Sequence, residues 1–128
     1  MGQQQLLLIV LGVIIVGIAV VVGINVFTAS STSSNRDAVI SDLTNLASIA
    51  QTYYRKPTAL AGGNNTFTGW TVPTPLATTG NGTYTATVAA QSVTLVGTGT
   101  QLGNNGSSNV QVTMVVGPNV ITSTTVNN

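Results

Sequence analysis

The chain has 128 residues, a net charge of +1 and 4% charged side chains, against about 25% in an average soluble protein. It holds no His, no Cys and no Glu, which removes disulfides, thiolate metal sites and the usual acid–base and nucleophile-activating groups. There is no basic face to neutralise phosphates, so nucleic acid is not expected as a partner. The two side-chain carboxylates, Asp37 and Asp42, would stand about 140° apart on a helix and cannot work as a pair. No enzymatic activity, cofactor or metal is expected.

The polar start Gly2-Gln3-Gln4-Gln5 leads into LLLIVLGVIIVGIAVVVGINVF, Leu6 to Phe27, which carries no charge and one strongly polar side chain, Asn25. As a helix this run is about 30 Å long, the thickness of a bilayer core. It must sit in lipid or in surroundings equally dry. The run is too long for a secretory signal and lacks the basic flank of one. The nearest basic residue is Arg36, on the far side. We therefore expect a product already processed, with Met1 as the first residue of the mature chain. Gly12, Gly17 and Gly23 recur within the run, and Ala19 and Gly23 make one small-xxx-small pair, the kind of spacing that lets helix backbones approach closely.

Thr28 to Asn35 (TASSTSSN) is a poor helix former. It reads either as a linker or as the polar middle of one long helix, and Ser34-x-x-Asp37 has the spacing of a capping box that would restart the helix. Beyond it an amphipathic helix is expected over Arg36 to Tyr54. Val39, Leu43, Leu46, Ala50 and Tyr53 fall on one face, widened by Ile40, Ala47 and Tyr54. Arg55 and Lys56 suit the helix C-terminus and Pro57 ends it.

After Leu60 the composition turns to Gly, Asn and Thr. Thr66 to Val72 reads as a short strand or extended segment, stopped by Pro73 and Pro75. Asn81-Gly82 signals a turn. Thr83 to Ala89, Ser92 to Gly97, Asn109 to Val116 and Val120 to Val126 then read as four consecutive strands, an antiparallel meander. Tyr84, Ala86, Val88, Val93, Leu95, Val110, Val112, Met114 and Val116 are the expected inward residues. Gly97-Thr98-Gly99 lacks the Lys and βαβ setting of a phosphate cradle and reads as a turn. Trp70 is expected in the core rather than as a sugar-stacking platform. Asn64, Asn81 and Asn105 each begin an N-glycosylation sequon in a loop.

The stretch GQQQLLLIVLGVIIVGIAVVVGI, the helix end YYRKP and the Gly-rich loop after it together resemble type IV pilins and their relatives, with the whole chain covered as architecture. The resemblance implies a precursor anchored in the inner (cytoplasmic) membrane. A prepilin peptidase would trim it, and an ATP-driven assembly machinery would extrude it as an extracellular filament. Many bacterial members carry Glu as the fifth mature residue, where it pairs with a neighbour's N-terminal amine. Here Gln5 occupies that place if Met1 is the first residue.

The expected fold is α+β, pilin-like: a long N-terminal helix, apolar in its first half, packed on a small C-terminal antiparallel sheet. Residues 1–28 form the membrane span and later the filament core, 29–57 the amphipathic half of the helix, and 58–128 the sheet domain. Leu6, Leu7, Leu8, Ile9, Leu11, Ile14, Ile15, Ile18, Val22 and Phe27 are the expected self-assembly contacts. Val39, Leu43, Leu46, Ala50 and Tyr53 are the expected helix–sheet contacts. The partners are copies of the same chain in a helical homopolymer, the assembly machinery, and the lipid bilayer before assembly. The competing readings are a single-pass membrane protein with a binding ectodomain and a pseudopilin of a secretion system.

Overall fold

The computed structural model describes residues 2–128; the expectation about Met1 lies outside the described residues. The architecture is α+β, as the sequence pattern predicts. Helix α1 (Gly2–Arg55) runs for 54 residues. A 3₁₀ turn (Thr58–Leu60) and a short helix α2 (Thr74–Ala77) follow, and then strands β1 (Thr78–Thr79), β2 (Gly82–Val88), β3 (Val93–Leu102), β4 (Asn109–Val116) and β5 (Ile121–Val126). By contacts the chain forms two units, one ending at Ser31 and the other Thr32–Asn128.

The first unit is helix alone. Its described residues are exposed from Gly2 to Ser30. Thr28 fits this helix by turning its hydroxyl back onto the Ile24 carbonyl, 3.0 Å away.

In the second unit the rest of α1 lies on the sheet. All five strands are antiparallel and follow chain order, β1-β2-β3-β4-β5. Val39, Leu43, Leu46, Ala47 and Ala50 from the helix meet Tyr84, Val93, Leu95, Val110, Val112, Met114 and Val116 from the sheet, all buried. The periods of the two elements explain the match: 3.6 residues per turn put one helical stripe down, and alternation puts every second strand residue up. Phe67 and Trp70, from the loop before α2, are buried in the same core, with the Tyr54 and Phe67 rings tilted at 4.8 Å between centroids.

Three local expectations are corrected, and the two readings of Thr28 to Asn35 resolve to the continuous helix: α1 passes unbroken through the capping-box spacing at Ser34-x-x-Asp37. Weak propensity here is overridden by tertiary contacts: Thr32 donates to the Leu102 carbonyl at 2.8 Å and Asn35 donates to the Asn81 carbonyl at 2.9 Å. The polar stretch is therefore no linker in its latter part, because its side chains supply partners to the sheet.

Thr66 to Val72 forms no strand. Its backbone is held by single bonds, such as Phe67 N–H to the Ala90 carbonyl at 2.9 Å, which anchor a loop over the core. Pro73 and Pro75, expected only as breakers, open α2: Pro73 precedes it and Pro75 stands in its first turn, where a missing N–H costs nothing. A fifth strand, β1, follows and pairs with Gly82 and Thr83.

Gly97-Thr98-Gly99 is not a turn but the middle of β3. A Cβ at Gly97 would lie 2.7 Å from Val39 Cγ1, and one at Gly99 would fall on Asn35 Oδ1. These glycines let the helix approach the sheet closely, which is the strand-interior use of glycine.

Candidate self-assembly surface

The apolar run puts an aliphatic side chain at nearly every helical position, so no rotation of the helix hides it. From Leu6 to Phe27 the structure exposes seventeen large apolar side chains. Of those expected as assembly contacts, Leu6, Leu7, Leu8, Ile9, Leu11, Ile14, Ile15, Ile18, Val22 and Phe27 range from 52% exposed at Ile14 to 73% at Phe27. Val10, Val13, Val16, Val20, Val21, Ile24 and Val26 are exposed to similar degrees; the sequence reading did not name them as contacts. A Cβ at Gly12, Gly17 or Gly23 would meet nothing within 4 Å, so these glycines serve no contact inside the single chain.

Such a surface is not stable in water. Full burial of one aliphatic side chain is worth about 1.5–3 kcal/mol. Seventeen partly exposed ones together outweigh the roughly 5–15 kcal/mol net stability of a whole domain. By length and composition α1 is the one helix among the described residues able to cross a membrane.

The second unit holds the other half of α1 with both grease and polar pins. Val39, Leu43, Leu46 and Ala50 are at most 1% exposed. Tyr53 is half-buried and packed against the same core, and its hydroxyl donates to the Thr68 carbonyl at 2.9 Å.

Asp42 is the hub of the pins. Its Oδ2 accepts from the Tyr84 hydroxyl at 2.5 Å, the Thr79 hydroxyl at 3.0 Å and the Asn81 amide at 3.1 Å. Burial alone would raise its carboxyl, but the bonds from Tyr84, Asn81 and Thr79 outweigh that and hold it below the ordinary aspartate value. Burial, and then the bond to the Asp42 carboxylate, push the Tyr84 phenol well above its usual value. About two turns earlier, Asn35 Oδ1 accepts the backbone N–H of Thr100 at 3.0 Å and of Gln101 at 3.2 Å. These two residues tie α1 to the β1–β2 turn and to β3. The sequence excluded Asp42 from a carboxylate pair with Asp37 but did not signal its role here, nor that of Asn35. Their partners lie tens of residues away, where no local spacing signals them.

Of the sequon residues, Asn64 is exposed with φ 53°. Asn81 is half-buried, and the nitrogen that would carry a sugar donates to Asp42. Asn105 is exposed; its Oδ1 caps the N–H groups of Ser107 and Ser108, and its Nδ2 donates to Ser108 Oγ at 2.8 Å. Among the described residues no cluster of three or more His, Cys, Asp or Glu is present.

The long apolar N-terminal helix and the small antiparallel sheet are compatible with a pilin-like fold. No protein-family model, no curated protein and no solved structure matches the chain.

Proposed function

We propose that this chain is the structural subunit, a pilin, of an extracellular type IV pilus-like filament. One observation carries the reading: an exposed apolar helical stretch, Leu6 to Phe27, belongs to a chain whose remaining residues already bury their own core. The apolar stretch is surplus to folding and must be kept dry by something outside the chain. Lipid does this before assembly, in the inner membrane. A bundle of like helices does it afterwards, so that extraction from the bilayer exchanges one apolar environment for another. Gly12, Gly17 and Gly23 then let neighbouring backbones approach. A Thr- and Asn-rich sheet domain outside is soluble with little charge, and low charge limits repulsion between many copies. A prepilin peptidase and an assembly motor are the partners this route requires. The filament serves motility, adhesion, DNA uptake or secretion.

Material sheared from the cell surface tests this directly. Filaments composed of this chain, seen by electron microscopy, are the expected result. Strictly membrane-bound single chains would instead favour an anchored ectodomain, and short structures confined to the envelope would favour a pseudopilin.

A further inference from the structure

The two edges of the sheet are finished differently. At one edge, β1 pairs with Gly82 and Thr83. At the other end of β2 the loop bearing Thr66 and Phe67 bonds to the Ala90 carbonyl. That edge is held at its two ends by the chain's own segments. At the other edge β5 pairs with β4 alone. Its far side is a row of backbone donors and acceptors with no strand beside them among the described residues.

Natural edge strands are blunted by Lys, Pro or an irregularity that turns them away. β5, Ile-Thr-Ser-Thr-Thr-Val, has no charge and no Pro, and its one irregularity lies at its start, between Val115 and Val116 of the partner strand. Residues Thr122 to Val126 are exposed on both faces, so the sheet core does little to hold them. All but Ser123 are β-branched, the residue type that favours strands.

We propose that β5 pairs antiparallel with β5 of a second copy of this chain about a two-fold axis. The strand is suited to itself. Near a two-fold at Thr124, Ser123 faces the partner's Thr125, and Thr122 faces the partner's Val126. Hydroxyls meet hydroxyls or methyls, and no charge meets a like charge. A Lys or Glu at position 124 would have faced its own copy. Copies within one helical filament all point the same way, so no two-fold relates them. The contact therefore joins chains of two filaments running in opposite directions, and it relies on the filament reading for that setting alone. One strand pair is weak; repeated along two filaments it becomes strong through multivalency.

The chain has no cysteine, so single substitutions give clean cross-linking probes. Ser123→Cys, Thr124→Cys and Thr125→Cys are compared with Thr85→Cys on β2, under mild oxidation of full-length protein. Covalent dimer at one or two adjacent β5 positions, at least tenfold above Thr85→Cys, is the expected result. Thr124→Lys should leave single filaments intact while abolishing their side-by-side association in electron micrographs. Filaments with no β5 dimer, equal dimer at all four positions, or undiminished bundling by Thr124→Lys would overturn the proposal. Should no filaments exist, β5 dimers in detergent would still support the pairing while the filament reading failed.

Discussion

Tyr84, in the middle of β2, donates its phenolic hydrogen to Asp42 on α1 across 2.5 Å. The pair joins the long helix to the sheet through a buried Tyr84 and a half-buried Asp42, and Thr79 and Asn81 complete the acceptor's partners. Apolar packing sets how the helix lies on the sheet in general; this pair fixes where along the helix the β1–β2 turn docks.

Removing either partner should therefore loosen the domain without touching the apolar surface. Asp42→Asn is expected to cost about 1–3 kcal/mol and Tyr84→Phe about 1–2 kcal/mol, read from denaturant unfolding. The double substitution should cost less than the sum of the two, because both report the same bond. Strict additivity would mean that the two side chains do not interact in solution.

The same pair dictates the pH response. A carboxyl held below its ordinary value, 3.8 for Asp42, adds stability above that pH and loses it as the pH falls through the lower folded value. A phenol held above its ordinary value, 10.0 for Tyr84, adds stability below that pH and loses it as the pH climbs from there toward the folded value. With no His in the chain, nothing with an ordinary pKa between pH 5 and 8 remains to titrate among the side chains. The unfolding midpoint should be flat across neutral pH and should decline at both extremes. A step near pH 6 would contradict this assignment.

Gly99→Ala places a methyl on Asn35 Oδ1, and Gly97→Ala places one 2.7 Å from Val39 Cγ1. Each should destabilise the sheet domain by about 1–3 kcal/mol through overpacking. Gly23→Ala meets nothing in the single chain and should leave that stability unchanged while altering how helices pack between copies. Thermal unfolding of the three variants side by side separates the two roles of glycine.

Leu43→Ala and Leu46→Ala remove side chains that are at most 1% exposed and should each cost about 2–5 kcal/mol. Leu8→Ala, at a site 69% exposed, should cost the folded domain nothing measurable. Any loss there should appear only in assembly.

Much of this fold can be read from the chain because two periodic signals are strong. Val39, Leu43, Leu46 and Ala50 recur at helical spacing, and Val110, Val112, Met114 and Val116 alternate; both sets are buried against each other. The errors share one cause, distance along the chain. Gly97 and Gly99 look like turn residues until Val39 and Asn35 are placed over them. Thr32 and Asn35 read as linker or mid-helix residues until the end of β3 is placed over them, where Thr32 donates to the Leu102 carbonyl and Asn35 accepts from the Thr100 N–H. The Asp42 hub is invisible in sequence because its partners stand 37 to 42 residues away. The apolar run lies at the other extreme. It is a contiguous run whose meaning is in its composition, and the structure adds that none of it is consumed by folding.

Val16→Asp tests the central claim most directly. It places a carboxylate in the middle of the apolar run, at a residue 61% exposed in the single chain and outside the buried core. The account predicts that surface filaments disappear while the sheet domain keeps its wild-type unfolding midpoint. Filaments of normal number and length from Val16→Asp cells would contradict it.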